Sequence, residues 1–201
     1  QNAIGAAVSG DTVLIAEGHY FENLIIENQS IILASYFLLD NDTSHIENTI
    51  IDGDQKDRVI YIGNQIEDTT SIFCGFTIIN GLTAKGAGMY LYNSNPKMYN
   101  LVISNNQLND TNSRHNSGGG LYLSNSNPVM TDVTISNNTT NQNGGGMCLY
   151  GSSPVMTNIT ISNNTAADDA GGMYLSDSNP TLTDVTFSNN YADNNGGGIH
   201  L

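Results

Sequence analysis

The sequence predicts an all-β solenoid: a single-stranded parallel β-helix of about 26 residues per rung, with a short N-terminal capping helix. Three observations carry this. The chain repeats itself with a fixed period. GGGLYLSNSNPVMTDVTISNNTTNQN begins at Gly118, GGGMCLYGSSPVMTNITISNNTAADD at Gly144 and AGGMYLSDSNPTLTDVTFSNNYADNN at Ala170, each 26 residues after the last, and GGGIHL opens a further unit at Gly196. Such self-similarity marks units that bury their apolar side only against neighbours. Within a unit the apolar residues alternate with period two: Leu121 and Leu123 share one face and Tyr122 takes the other, while Val133 and Ile135 oppose Thr134. Alternation bounded by Gly, Asn, Ser and Pro reads as short strands joined by turns. Finally, no unit holds the run of ten or so helix formers that a helical repeat needs.

The elements follow in order. Gln1–Ser9 is small and apolar, carries a helical pattern that Gly10 ends, and reads as the remnant of a helix covering the open core. Residues 10–85 form irregular rungs, with strands at Thr12–Ala16, Leu24–Glu27, Ile31–Ala34, Thr49–Asp52, Val59–Ile62 and Ile72–Ile79. Aligning Ile60-Tyr61-Ile62 with Met89-Tyr90-Leu91 extends the stack upstream. Residues 86–201 are the regular repeats, and the first, Gly86 to Ser117, is longer than the others by six residues. The whole chain, 1–201, reads as one domain whose C-terminal end is truncated, because it stops inside a repeat.

Stacking at about 4.8 Å per rung turns equivalent residues into columns. Met89, Leu121, Met147, Met173 and Ile199 form one inward column; Leu91, Leu123, Leu149, Leu175 and Leu201 form another. Met98, Met130, Met156 and Leu182, with the Leu101–Val133 and Ile103–Ile135 columns, complete the core. Each such side chain contributes roughly 1.5–3 kcal/mol when buried. The glycine runs suit a corner that needs positive φ or close backbone approach. The Asn pairs, such as Asn137–Asn138, suit the next corner, since Asn tolerates left-handed φ and stacked amides hydrogen-bond along a column.

Composition narrows the partners. Five Lys+Arg against nineteen Asp+Glu give a net charge of −14. That surface excludes a nucleic-acid role, which draws on Lys and Arg at phosphates, and disfavours anionic membranes. No apolar run approaches the roughly 20 residues of a membrane span, so no membrane insertion is expected in this segment. Cys74 and Cys148 fall about three rungs apart, roughly 14 Å, too far for a disulfide.

The spacing GGG-x-Y/C-L, then S-x-P, then T-x-x-T-I/F-S-N-N, resembles the right-handed parallel β-helix proteins of the pectin-lyase-like superfamily. The opening GDTVLIAEGHYFENLIIENQSIILAS (Gly10–Ser35), then TIIDG and GFTIING, is similar to that of their surface and secreted members. The GGG[LMI] and [IF]SNN elements also resemble the GGxI and FxxN repeats of polymorphic outer-membrane, adhesin-type proteins. The resemblance implies a right-handed coil and an extracellular, cell-surface bacterial protein. It does not choose an activity, because that superfamily holds lyases, hydrolases, tailspikes and adhesins.

Candidate chemistry is sparse. Lyases of this fold family pair acidic Ca²⁺ ligands with a basic Arg or Lys, and the available cations are Lys56, Arg58, Lys85, Lys97 and Arg114. Arg114 and His115 sit in the long rung's insertion. Hydrolases need two carboxylates about 5–10 Å apart; Asp132 and Asp184 share a column about 10 Å apart, which reads as a solvated turn. Asp52, Asp54 and Asp57, Asp40 and Asp42, and Asp168, Asp169 and Asp193 form acidic turns where Ca²⁺ is the one candidate ion. No other cofactor and no metal site is implied.

Two outward columns remain. Thr77, Val102, Thr134, Thr160 and Thr186, flanked by Tyr99, Thr131, Thr157 and Thr183, form a threonine-rich array, which is also what strands favour. Tyr61, Tyr90, Tyr122, Cys148, Tyr174 and His200 form an aromatic stripe, and Tyr61, Tyr90, Tyr122, Tyr174 and His200 are the candidate binding residues. Exposed rings in a row stack on sugar rings or on a partner surface; equally, cross-rung Tyr pairs stabilise a sheet. The leading expectation is a non-catalytic extracellular module, adhesin-like or structural, binding a polysaccharide or cell-surface glycan. The alternative is a polysaccharide lyase or glycoside hydrolase, with its site around Asp52–Arg58 and Arg114. The third is a filament subunit that self-associates end to end.

Overall fold

The computed structural model describes residues 1–65, 70–108 and 117–201. A regular rung contributes three strands; in the rung opening at Gly118 they are Leu121–Ser124, Val129–Ser136 and Thr139–Thr140. Like strands stack in parallel into three sheets. The front sheet has seven strands: Leu24–Glu27, Ile60–Gln65, Met89–Ser94, Leu121–Ser124, Met147–Tyr150, Met173–Ser176 and Ile199–His200. The long-strand sheet has ten strands and is dominated by Lys97–Ser104, Val129–Ser136, Val155–Ser162 and Thr181–Ser188. The third sheet has five short strands, from Leu82–Thr83 to Tyr191–Ala192. This is the parallel β-helix that the period and alternation predict.

The core columns fall in the expected register, Ile60 beside Met89, Met89 beside Leu121, Leu121 beside Met147 and Met147 beside Met173. Met89, Leu121, Met147 and Met173 have no solvent exposure, and Met98, Met130 and Met156 are equally enclosed. The helix at the start spans Asn2–Ala6 and buries Ile4 in the core. Gln1 stands in for a missing strand neighbour: its amide Nε2 donates to the Ile25 carbonyl at 3.1 Å and its Oε1 accepts from the Ile25 N–H at 2.8 Å. Among the described residues no helix is long and apolar enough to cross a membrane. Cys74 and Cys148 are both free and buried.

Two corners carry side-chain ladders. Asn105, Asn137, Asn163 and Asn189 adopt φ of 56°, 56°, 55° and 52°, turning the chain. The next residues, Asn106, Asn138, Asn164 and Asn190, point inward. Asn106 N–H and Nδ2 both donate to Asn138 Oδ1 at 3.0 Å, and Asn138 and Asn164 repeat the pattern onto the following rung. Ser94, Ser126, Ser152 and Ser178 form a second ladder, in which the Ser126, Ser152 and Ser178 hydroxyls each accept from the preceding rung's serine N–H at 3.0–3.1 Å. At the glycine corner, Gly118, Gly144 and Gly196 have φ of 75°, 67° and 62°. Ala170 takes the same left-handed conformation at 58°.

The long strands hold a bend the sequence reading did not place. Asn100, Asp132, Asn158 and Asp184 all sit near φ 53–54° inside otherwise continuous strands. The Asp132–Asn158–Asp184 column is therefore a left-handed kink, with the Asn158 amide donating to Asp132, and not a separate turn. Upstream the same locus is Gly75, at φ 80°, which divides the expected Ile72–Ile79 strand into Ile72–Cys74 and Thr77–Ile79. One rung earlier it holds the helices Phe37–Asp40 and Ser44–Asn48, inserted between Ile32–Ser35 and Thr49–Asp52. The strand Gly18–Phe21 was also not foreseen, because its His, Tyr and Phe put aromatic rings on both faces and blur the alternation.

Candidate functional site

The front sheet presents the aromatic stripe. Parallel register places Ile25, Tyr61, Tyr90, Tyr122, Cys148, Tyr174 and His200 in one outward column. Two residues further along each strand, on the same side of the sheet, a second column runs Tyr92, Ser124, Tyr150 and Ser176. Tyr92 and Tyr150 belong to the face and were missed, although MYLYNS and MCLYGS spell out the same-side spacing.

The rings make a continuous contact chain in the upper part. Tyr61 and Tyr90 meet edge to face with centroids 5.5 Å apart, Tyr90 and Tyr122 at 5.1 Å, and Tyr90 and Tyr92 at 6.4 Å. Lower down, Tyr174 stacks on His200 at 5.7 Å with an interplanar angle of 4°. Such pairs are each worth about 0.5–1.5 kcal/mol beyond their buried area. Two of the chain's few cations lie over this face: the Arg58 guanidinium 5.5 Å from the Tyr61 centroid and 4.9 Å from Tyr90, and the Lys85 ammonium 5.7 Å from Tyr122. Sequence reading could not find these two, because they reach the face from corners and not from strands.

The stripe is not evenly exposed, which corrects the picture of a row of open rings. Tyr122 is 7% exposed and Cys148 3%, whereas Tyr150 is 51% exposed. Burial raises the phenols of Tyr61, Tyr90, Tyr122 and Tyr174 above the usual tyrosine range. Burial likewise pushes the Cys148 thiol up to about 12. A groove of about 470 Å³ runs between Tyr90 and Tyr174, with Lys85 and the Ser117–Asn143 corner on its rim. Beyond it, Asp169 Oδ2 lies 3.9 Å from His200 Nε2.

The rival residues pair locally without gathering into one site. Lys56 pairs with Asp54 at 2.6 Å, Arg58 lies over the tyrosines, and Asp52 faces the long-strand sheet, where its carboxylate meets His19 Nε2 at 2.6 Å and accepts from the Asn80 amide at 2.9 Å. These contacts and the Asp54 N–H hold the buried Asp52 below the usual carboxylate range, against the opposing effect of its own burial. Asp40 and Asp42 accept the backbone N–H groups of Asp42 and Ser44 at 2.9 Å, and Asp40 also pairs with His45. Asp168 and Asp169 accept from Asn194 and Asn195 on the next rung. Among the described residues no three His, Cys, Asp or Glu side chains form a group able to hold a metal ion. The threonine columns lie on either side of the Asp132 kink, so they form two facets and not one flat array. Arg114 and His115 lie outside the described residues.

The sequence matches the family described as right-handed β-helix region over residues 78–201. The chain belongs to that family. No curated protein and no solved structure matches it. Family membership accounts for the coil and its handedness. The choice of chemistry rests on the face itself.

Proposed function

We propose that this right-handed β-helix is a non-catalytic extracellular module, adhesin-like or structural, that binds a polysaccharide or cell-surface glycan along its tyrosine face. The observation that carries the reading is the groove between Tyr90 and Tyr174, where aromatic rings, neutral hydroxyls and an amide share one surface. Sugars present C–H faces that pack on rings and hydroxyls that pair with such groups. Arg58 lies over the tyrosines while Lys56 is taken up by Asp54 and the Asp52 carboxylate by His19 and Asn80, which supports binding over lyase or hydrolase chemistry, where acid, base and cation sites meet on one substrate.

The test is a glycan array followed by titration calorimetry on wild type and on Tyr61→Ser/Tyr90→Ser/Tyr174→Ser. That triple variant spares the buried Tyr122. Three lost ring contacts at about 0.5–1.5 kcal/mol each give at least a tenfold loss of affinity. Undiminished binding by a folded triple variant removes the tyrosine face from the account. Release of unsaturated or reducing ends from any polysaccharide replaces the binding module with an enzyme.

A further inference from the structure

The two outward columns of the front sheet are out of phase at one rung. The first column carries rings at Tyr122 and Tyr174 and drops to Cys148 between them; the second carries Ser124 and Ser176 and rises to Tyr150 between them. For a single rung the ring has moved over by one column. The rung holding Tyr90 and Tyr92 shows that both positions accept tyrosine at once. The displacement leaves a pit in the groove of about 470 Å³. Its walls are the rings of Tyr90, Tyr122, Tyr150 and Tyr174. Cys148, Ser124 and Ser176 line it between the rings, together with Ser117, Asn143 and Lys85.

The geometry points to this pit as a subsite for one neutral pyranose ring, the anchor of a longer glycan. The inference rests on the glycan-binding reading above and narrows it from a face to a place. The volume lies within the roughly 300–1,000 Å³ of small-molecule sites, although an anchor for one ring uses only part of it. The Tyr90, Tyr150 and Tyr174 rings offer flat apolar surface to the C–H faces of a pyranose, and the serine, asparagine and tyrosine groups between them pair with its hydroxyls. No carboxylate lines the pit, and its one charge, Lys85, is already placed over Tyr122. A column serving only to brace the sheet gains nothing from the interruption: Cys148 forfeits ring contacts to both Tyr122 and Tyr174.

The test fills the pit. Tyr122 occupies the same register as Cys148 one rung earlier, and its Cβ faces Gly118 as the Cβ of Cys148 faces Gly144, so Cys148→Tyr restores a regular column on a backbone that already accepts it. Binding of methyl glucoside, methyl galactoside, methyl mannoside and methyl N-acetylglucosaminide, and of neutral polysaccharides, is measured for wild type, Cys148→Tyr and Tyr150→Ser. The expected result is a loss of at least tenfold in Cys148→Tyr with its melting temperature unchanged or raised. Tyr150→Ser, which removes an exposed wall without adding bulk, also loses affinity. Binding by Cys148→Tyr within twofold of wild type overturns the pit while leaving the tyrosine face standing. A wild type that binds none of the panel overturns both.

Discussion

Removing one rung of the asparagine ladder, by Asn138→Ala, tests what holds the coils in register. The Asn138 side chain has no solvent exposure. It takes part in four hydrogen bonds: it accepts from Asn106 N–H and Nδ2, each at 3.0 Å, and donates to Ile103 O and Asn164 Oδ1, each at 3.0 Å. Three of the four partners keep other contacts. Asn106 Nδ2 still reaches Ser104 O at 3.0 Å, and Asn164 Oδ1 still accepts from Asn138 N–H at 2.9 Å. Ile103 O lies within a strand ladder. Asn106 N–H is the group left without an acceptor, at a residue 1% exposed. An orphaned buried donor costs about 1–3 kcal/mol and each of the other lost bonds about 0.5–1.5 kcal/mol. The sum is about 2.5–7.5 kcal/mol, the same order as the whole stability of many domains. The neighbouring Asn137 is the control. It turns the chain at φ 56° and is exposed, so Asn137→Gly is expected to change stability by less than about 1 kcal/mol. Urea denaturation followed by far-UV circular dichroism reads both variants. A loss below about 1 kcal/mol in Asn138→Ala, or equal losses in the two, refutes the argument that the inner amide and not the turn carries the corner.

Other expectations follow from the same geometry. A Cβ at Gly145 would stand 2.6 Å from the carbonyl oxygens of both Gly171 and Thr165, so Gly145→Ala should cost about 3 kcal/mol or prevent folding, whereas Gly5→Ala, with nothing within 4 Å, should stabilise its helix by about 0.5–1 kcal/mol in the same denaturation assay. Ala170 holds a left-handed conformation at the corner where other rungs place glycine, and Ala170→Gly should raise stability by about 0.5–1 kcal/mol. His45 bridges Asp40 and Glu17, and its pKa is raised, led by the bond to Asp40; Asp42 adds to the acidic surround. Its stabilisation is thus complete below about pH 6.5 and lost as pH rises through the higher folded value. Melting temperature measured from pH 5 to 9 should fall through that window in wild type and not in His45→Gln. Asp52 has the opposite sign: its depressed pKa contributes above about pH 3.9 and is lost as pH falls through the folded value, a loss that Asp52→Asn should remove from acid-unfolding curves.

The coil is legible because its period forces equivalent residues into columns, so the register of Tyr61, Tyr90, Tyr122 and Tyr174 follows from the repeat alone. Both roles of the asparagine pair could be read for the same reason. The kink at Asp132 was harder, since Asn and Asp serve turns and left-handed strand kinks alike. The site was half visible. One tyrosine column announced itself by repetition, but the functional relief lies where repetition fails, at Cys148 and Tyr150, and a reading tuned to likeness passes over the exception. Arg58 and Lys85 were hidden because the pairing of a flexible cation with a ring depends on which way a corner turns.

The amide ladder also has a direction. Each inner asparagine gives its backbone N–H and one amide hydrogen to the rung ahead and receives the same pair on its oxygen from the rung behind, so every unit ends in the same unmet demand that the next unit begins by filling. A whole unit can therefore be inserted or excised without altering this ladder, and the rod's length changes in steps of roughly 4.8 Å. Duplication within the coding sequence then acts as a ruler, setting how far apart the two ends of the coil are held.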